Sequence, residues 1–173
     1  MGLVIRRMEK RDIPQVVEIE KLCFTEPWSE ADYKESLLLP YASYYVAEFV
    51  PQDSVGTGTA GPAFPEQPAE AGGTAGDSAI LGMCGLRLIL DEGEITNVAV
   101  RPAWRGRGIA RLMLAKLLEE GRRAGGTAFT LEVRAGNAPA IALYEGLGFR
   151  YEARRPGFYT KPVEDALLYW LKD

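Results

Sequence analysis

The chain has 173 residues, of which 25% are charged, and its 24 acidic and 20 basic side chains give a net charge of −4. It contains no histidine and two cysteines, which excludes Ser-His-Asp and Cys-His catalysis and argues against a zinc site or a disulfide framework. No apolar run approaches the roughly 20 residues that cross a membrane, and the N-terminus lacks a secretory signal. The composition therefore predicts one soluble, cytoplasmic domain without a metal.

The first fifty residues predict a strand, two helices and a second strand. Asp12 is expected as the N-cap of the first helix, with Pro14 in its first turn, and Ser29 as the N-cap of the second. Residues 25–28 interrupt the helical spacing between them. The predicted elements are a strand at 3–8, a helix from 13, a helix from 30 to 38 and a strand at 44–50.

Residues 51–79 differ in composition from the rest of the chain. They contain six Gly, four Pro and six Ala, four acidic residues and no Lys or Arg. Such a segment buries too little apolar surface to offset its ordering entropy. We expect a flexible, low-complexity insertion in a single domain spanning 1–173. Because the remaining residues carry 20 acidic and 20 basic side chains, the net charge belongs to this segment and implies no basic partner.

The second half predicts strands that alternate with helices. Gly108 precedes an apolar helical stripe that ends at Gly125, and Asn137 with Pro139 begins a short helix. The predicted elements are strands at 80–90 and 94–100, a helix at 108–123, a strand at 128–133, a helix from 137, and strands at 149–153 and 165–171. The expected fold is α/β, with a central mixed sheet of six or seven strands flanked by about four helices.

The stretch 95–111 combines a β-branched strand, a basic loop with two glycines and the start of a helix. Unpaired amides and the positive end of the helix dipole favour an anion there, and glycine lets it approach the backbone. Four arginines at 101, 105, 107 and 111 add positive charge. A nucleotide-triphosphate loop would need Lys-Ser/Thr where Ile109-Ala110 stands. Two alternatives remain open for this stretch. One is a dinucleotide-binding loop, although Arg111 occupies the position of its third glycine. The other is a solvated arginine-rich loop.

The segment Arg105-Gly106-Arg107-Gly108-Ile109-Ala110 resembles the Q/R-x-x-G-x-G/A loop of the GCN5-related N-acetyltransferases (GNAT), which binds the pyrophosphate of acetyl-CoA. The resemblance runs from about residue 5 to 171 and implies the fold of that family. Within the family, the chain is most similar to the RimI-type alanine N-acetyltransferases of ribosomal proteins. The segments that carry this similarity are 26–29 (Glu-Pro-Trp-Ser), 131–134 (Leu-Glu-Val-Arg), 137–138 (Asn-Ala) and 140–149 (Ala-Ile-Ala-Leu-Tyr-Glu-Gly-Leu-Gly-Phe).

The resemblance assigns roles to individual residues. Glu132 would be the general base and Tyr144 the acid that protonates the CoA sulfur. The resemblance also implies a set of cofactor-binding residues: Val98, Ala99, Val100, Arg105, Gly106, Arg107, Gly108, Ile109, Ala110, Arg111 and Asn137. Trp28 and Tyr159 are candidates for contacting the acceptor.

From the residues alone, alternatives to these roles stay open. Glu132 interrupts an apolar strand, where a carboxylate is costly unless the site is wet or functional, but it also fits the polar face of an amphipathic strand. Tyr144 and Trp28 fit a core, and Asn137 fits an N-cap. The proposed roles require that Glu132 and the loop lie on the same side of the sheet, and that the amides of 106–110 are not buried against protein.

The acceptor is expected to be an N-terminal amine. An α-amine has a pKa of about 8 and lysine about 10.4, so freeing lysine costs about 3 kcal/mol more, at roughly 1.36 kcal/mol per unit. The sequence thus predicts an acetyl-CoA-dependent acyltransferase acting on the N-terminal alanine of a ribosomal or other protein, with no nucleic-acid or membrane partner. Acetylation of a small-molecule amine or lysine, a non-catalytic CoA-binding module and an NAD-binding protein are the alternatives.

Overall fold

We describe a computed structural model that covers residues 2–50 and 78–173. Within these ranges, seven strands and four α-helices form, as the sequence predicted. Most of the expected insertion lies outside the described residues, but Ala79, which we had included in it, is the first residue of a strand. The elements in chain order are β1 (Gly2–Arg7), α1 (Ile13–Cys23), α2 (Glu30–Ser36), β2 (Ala42–Val50), β3 (Ala79–Ile89), β4 (Glu92–Val100), α3 (Ile109–Arg123), β5 (Ala128–Arg134), α4 (Ala138–Gly146), β6 (Arg150–Thr160) and β7 (Val163–Lys172).

The strands form one mixed sheet in the order β1-β2-β3-β4-β5-β7-β6. Strands β4 and β5 run parallel, and the other neighbouring pairs described are antiparallel. Strands β6 and β7 are longer than expected. A loop containing Phe158 and Tyr159 was expected between them, but β6 continues to Thr160 and takes Pro156 and Gly157 into an irregularity in the register between Arg155 and Tyr159. Such a bulge accepts proline and a glycine at positive φ without ending the strand.

Helices cover the sheet on both faces. On one face, α3 and α4 pack over the side chains of Phe129, Leu131 and Val133 in the larger core cluster. On the other face, α1 and α2 pack over Val46 and Met83 in the smaller cluster. No helix in the described ranges is long and apolar enough to cross a bilayer.

The helix starts follow local sequence signals, with one exception. Ser29 caps α2 as expected, and Asp32 completes a reciprocal capping box. Asp12 occupies the cap position of α1, but its side chain does not cap the helix. Its carboxylate instead receives two hydrogen bonds of 2.8 Å from the Arg6 guanidinium on β1. The expectation that Asp12 caps α1 through its side chain was therefore wrong, because Arg6 and the Glu9 amide occupy its carboxylate oxygens.

Strands β4 and β5 separate soon after they begin to pair. Their register joins 92–94 to 128–130 only, so the two strands diverge beyond Glu94. A bulge in β4 lies next to this point, where Thr96 and Asn97 both oppose Gly85 of β3. A Cβ on Gly85 would lie 2.6 Å from Thr96 Oγ1 and against the Tyr44 ring. The bulge therefore depends on glycine at this position.

Candidate active site

The loop between β4 and α3 leaves room for an anion. A short 3₁₀ turn at Pro102–Trp104 follows β4, and Gly106 and Gly108 then adopt positive φ angles of 73° and 77°. No heavy atom lies within 4 Å of the position that a Cβ would take on either glycine. The requirement for glycine is therefore conformational, since the protein itself presents no steric obstacle there.

The backbone amides of this loop lack partners in the described part of the chain. The N–H groups of residues 106–111 donate to no described acceptor, and Gly108 provides no side-chain cap for α3. Such a helix start presents unpaired donors and the positive end of a 15-residue helix dipole. Within the described ranges, the amides of 106–110 therefore remain available as donors to a ligand.

Three of the four arginines lie around the loop, and Arg101 does not. Arg101 is 4% exposed; its Nε donates to the Ile80 carbonyl at 2.7 Å and its Nη2 pairs with Glu18 at 2.7 Å. It joins β4 to β3 and α1, so the inference that it helps to hold phosphate was wrong. A buried arginine and a solvated one have the same sequence signature, and only the fold distinguishes them.

The other three arginines, at 105, 107 and 111, lie near the start of α3, and each contacts a neighbouring residue. Arg107 stacks over the Trp104 ring at 4.8 Å. Arg105 donates from Nε to the Val100 carbonyl at 3.1 Å. The exposed Arg111 donates to the Gly146 carbonyl at 3.3 Å. Each contact involves part of a guanidinium group, which has five N–H donors.

The separation of β4 and β5 creates a cleft of about 370 Å³. Its wall brings together several predicted site residues from distant parts of the sequence. The cleft is not lined by Ala99, Val100 or residues 105–111, although the loop follows directly from the end of β4. The predicted residues along the cleft are Trp28, Val98, Glu132, Asn137, Tyr144 and Tyr159.

Glu132 enters the cleft from the face of the sheet that carries α1 and α2. Its neighbours Leu131 and Val133 point to the opposite face, into the core beneath α3. The Glu132 side chain is 25% exposed, and its Oε1 lies 3.2 Å from Arg155 Nε. The expectation that Glu132 and the loop share one face was therefore wrong. Beyond residue 94 the described parts of β4 and β5 are not paired, and both faces of the sheet contribute residues to the cleft in this gap.

Tyr144 reaches the same cleft from α4 on the other face. Its ring packs edge-on against Phe149, with centroids 6.1 Å apart. Burial, with smaller contributions from Tyr159 and Cys84, raises the pKa of the Tyr144 phenol. The phenol therefore keeps its proton at neutral pH, and burial makes it a weaker acid than a phenol in water.

The other three predicted residues have structural roles as well as positions in the cleft. Asn137 caps α4, accepting a hydrogen bond from the Ala140 amide at 3.3 Å. Trp28 packs against Tyr33 with centroids 5.3 Å apart. Tyr159 lies under the Arg134 guanidinium at 4.2 Å. The capping role considered from the sequence is confirmed for Asn137, and ligand contacts by all three remain predictions.

Sequence reasoning missed Glu20. This residue is 1% exposed, yet it lines the cleft. In the sequence it continues the helical spacing of Ile13 and Val16. The signal in the sequence was a charged residue within an apolar helical stripe. Because burying an unpaired carboxylate is costly, such a residue indicates a buried polar partner or a function.

Two further features of the described residues bear on the chemistry. No cluster of His, Cys, Asp or Glu with the arrangement of a metal site occurs in the described ranges. A larger groove of about 590 Å³ lies between the C-terminal half of α3 and the start of β2. None of the predicted site residues lines that groove, so the smaller cleft is the candidate active site.

Comparison with known proteins decides the family. A family model described as the Acetyltransferase (GNAT) family matches residues 13–149. The chain belongs to this family. This GNAT chain is 30% identical over 166 residues to the [ribosomal protein bS18]-alanine N-acetyltransferase of Escherichia coli (strain K12), covering 95% of this chain and 93% of that protein.

Solved structures agree with this assignment. The crystal structure of the ribosomal-protein-S18-alanine N-acetyltransferase from E. coli matches with a TM-score of 0.75 and 26% identity, covering 99% of this GNAT chain and 94% of that chain. The structure of Arabidopsis thaliana NAA60 in complex with acetyl-CoA matches with a TM-score of 0.78 and 17% identity, covering 99% and 98%, and shows likeness of fold alone. The chain is an acetyltransferase, which decides against the dinucleotide-binding hypothesis.

Proposed function

We propose that this enzyme transfers the acetyl group of acetyl-CoA to the α-amine of the N-terminal alanine of ribosomal protein bS18. The similarity to the E. coli enzyme supports the acceptor. The observation that carries the proposal is the gap between β4 and β5. Its wall includes the Glu132 carboxylate and the Tyr144 phenol, and the loop at 105–110 follows the far end of β4. A ribosomal acceptor would place the reaction in the cytoplasm.

The donor would lie along β4. The free amides of 106–110, with Arg105, Arg107 and Arg111, suit the diphosphate of CoA. Beyond residue 94, the edge of β4 that faces β5 has no strand partner among the described residues. The backbone of Val98 and Val100 could therefore pair with the amides of the pantetheine arm. Asn137, at the start of α4, borders the same path.

The acceptor amine would be deprotonated from the opposite side. Glu132 would accept its proton, and the nitrogen lone pair would then attack the thioester carbon to form the C–N bond. The Val98 amide, on the edge of β4 that faces the gap, would stabilise the oxyanion, because strand alternation turns the Ala99 amide toward Met83 of β3. As the C–S bond breaks, Tyr144 would donate its proton to the thiolate and recover one from solvent. Base and acid enter the gap from different faces, which suits removal of a proton on one side and delivery on the other.

The role of Glu132 can be tested by one substitution that changes little in volume. Glu132→Gln should lower kcat/KM by roughly 10² or more, alter the pH–rate profile and leave CoA affinity nearly intact by calorimetry. Glu152→Gln is the matched control, since Glu152 lies on β6 and its one ion pair among the described residues is with the exposed Lys172 at 3.7 Å. An unchanged pH–rate profile in Glu132→Gln would remove this residue from the mechanism.

The acceptor requires a separate experiment. The enzyme should acetylate a synthetic peptide with the N-terminal sequence of bS18, and the same peptide with a blocked N-terminus should not react. A lysine-containing blocked peptide and spermidine test the alternative acceptors. Mass spectrometry of protein N-termini from cells with and without the enzyme should show loss of acetyl groups from bS18. Faster turnover of spermidine than of the peptide would overturn the proposed acceptor.

A further inference from the structure

Glu20 is a buried carboxylate to which the mechanism above assigns no role. Its Oε1 accepts hydrogen bonds from Tyr33 Oη at 2.5 Å and Asn97 Nδ2 at 2.9 Å, and its Oε2 accepts one from the Trp28 amide at 3.1 Å. Burial, followed by the Glu20 charge, raises the pKa of the Tyr33 phenol, which therefore keeps its proton and donates. Three donors offset the cost of removing the carboxylate from water.

The three donors belong to different parts of the site. Trp28 lies in the turn between α1 and α2, Tyr33 lies on α2, and Asn97 lies in the bulge of β4. Glu20, Trp28 and Asn97 line the cleft, whereas Tyr33 does not. Glu20 therefore joins the turn on the acceptor side directly to the strand along which the donor would lie.

Asn97 connects Glu20 to the backbone that faces the gap. It is 8% exposed, and it immediately precedes Val98 on the unpaired edge of β4. Its Oδ1 is buried without a partner in the described part of the chain. The Nδ2 bond to Glu20 thus fixes the side chain in one orientation at the point where the bulge alters the direction of the strand.

An apolar residue would fill the Glu20 position at lower cost if packing were its only role. Neighbouring positions of the α1 stripe hold Val16 and Ile19, which are fully buried. Replacing buried polar groups by apolar ones of similar volume is often neutral or stabilising. A carboxylate here therefore suggests a requirement for geometry rather than for stability.

We propose that Glu20 is a positioning residue that fixes the acceptor-side turn relative to the bulged strand β4, so that the amine and the thioester meet at reacting distance. The inference rests on the proposed function. Reacting atoms must approach within about 3–3.5 Å, and a misplacement of about 1 Å can cost roughly 100-fold in rate. Glu20 acts through Trp28 and Asn97 and does not touch the reacting atoms itself.

Two variants that both keep the carboxylate provide the test. Asn97→Ala breaks the link to β4. Tyr33→Phe removes one hydrogen bond to the same carboxylate and keeps the ring that packs against Trp28. We expect Asn97→Ala to lower kcat at least tenfold with the Kd for CoA within threefold. We expect Tyr33→Phe to keep kcat within threefold of wild type, even if its Tm falls as far as that of Asn97→Ala.

The outcomes separate positioning from simple stabilisation. A kcat for Asn97→Ala within threefold of wild type, or an equal loss of kcat in both variants, would overturn the inference. The assay uses whichever amine the wild type acetylates fastest, so a wrong acceptor assignment leaves the comparison intact. A wild type that binds CoA but acetylates no amine would contradict the proposed function and, with it, this role of Glu20.

Discussion

Substitution of Gly108 by alanine separates the conformational role of this glycine from its role in binding. Gly108 has φ +77°, and a Cβ would meet no atom of another described residue within 4 Å, its chain neighbours apart. The stability cost is therefore the cost of holding alanine in the left-handed region, about 1–2 kcal/mol. For a domain of this size, each kcal/mol lowers Tm by about 2–4 °C.

The effect on CoA affinity should be larger than the effect on folding. The new methyl group would occupy the space beside the amides that would contact the diphosphate. Losing one hydrogen bond to a charged group costs about 1.5–3 kcal/mol, and each 1.4 kcal/mol is tenfold in Kd. We therefore expect CoA binding, measured by calorimetry, to weaken by about tenfold to hundredfold.

Gly125 provides a control on the same helix. It follows the C-terminus of α3 with φ +100°, and its Cβ position is likewise free of atoms within 4 Å. Gly125→Ala should lose a similar amount of stability and keep the wild-type Kd for CoA. Equal CoA affinity in the two variants would refute the assignment of the loop around Gly108 to the diphosphate.

Three further predictions follow from contacts in the structure. Arg101→Gln removes a buried hydrogen bond and should cost about 1–3 kcal/mol of stability, while the Kd for CoA stays within twofold of wild type. A Kd ten times weaker would indicate that Arg101 does help to hold the phosphate. Burial opposes ionisation of Asp12, but hydrogen bonds from Arg6 and the Glu9 amide lower the carboxyl pKa overall. The folding stability that the ionised Asp12 contributes is therefore complete above the unfolded pKa of about 3.9 and is lost as pH falls through the folded pKa. The Tm difference between wild type and Asp12→Asn should shrink below about pH 4. A constant Tm difference would contradict this. Tyr144→Phe should lower kcat at least tenfold, by an amount within the usual range for a general acid, with CoA affinity retained, and full activity would exclude it as the acid.

The loop between β4 and α3 was predictable from sequence because its properties are local. Positive φ at Gly106 and Gly108, the start of α3 and the caps at Ser29 and Asn137 depend on residues a few positions apart. Hydrophobic periodicity likewise indicated most strands and helices, with errors of a few residues at their ends. The longest errors, in β6 and β7, arose where the sheet absorbed a proline and a glycine into a bulge.

The sequence by itself determined the order of elements and the glycine-containing loop before α3, whereas the roles of Glu132 and Tyr144 came from the resemblance to the GNAT family and stay predictions. The tertiary structure alone decided that β4 and β5 part beyond Glu94, that Glu132 and Tyr144 enter the gap from opposite faces, and that Arg101 is buried. It also placed Glu20 between two walls of the cleft. The physical reason is that strand register and burial depend on contacts between residues far apart in the chain. Local sequence patterns do not indicate which distant residue each side chain contacts.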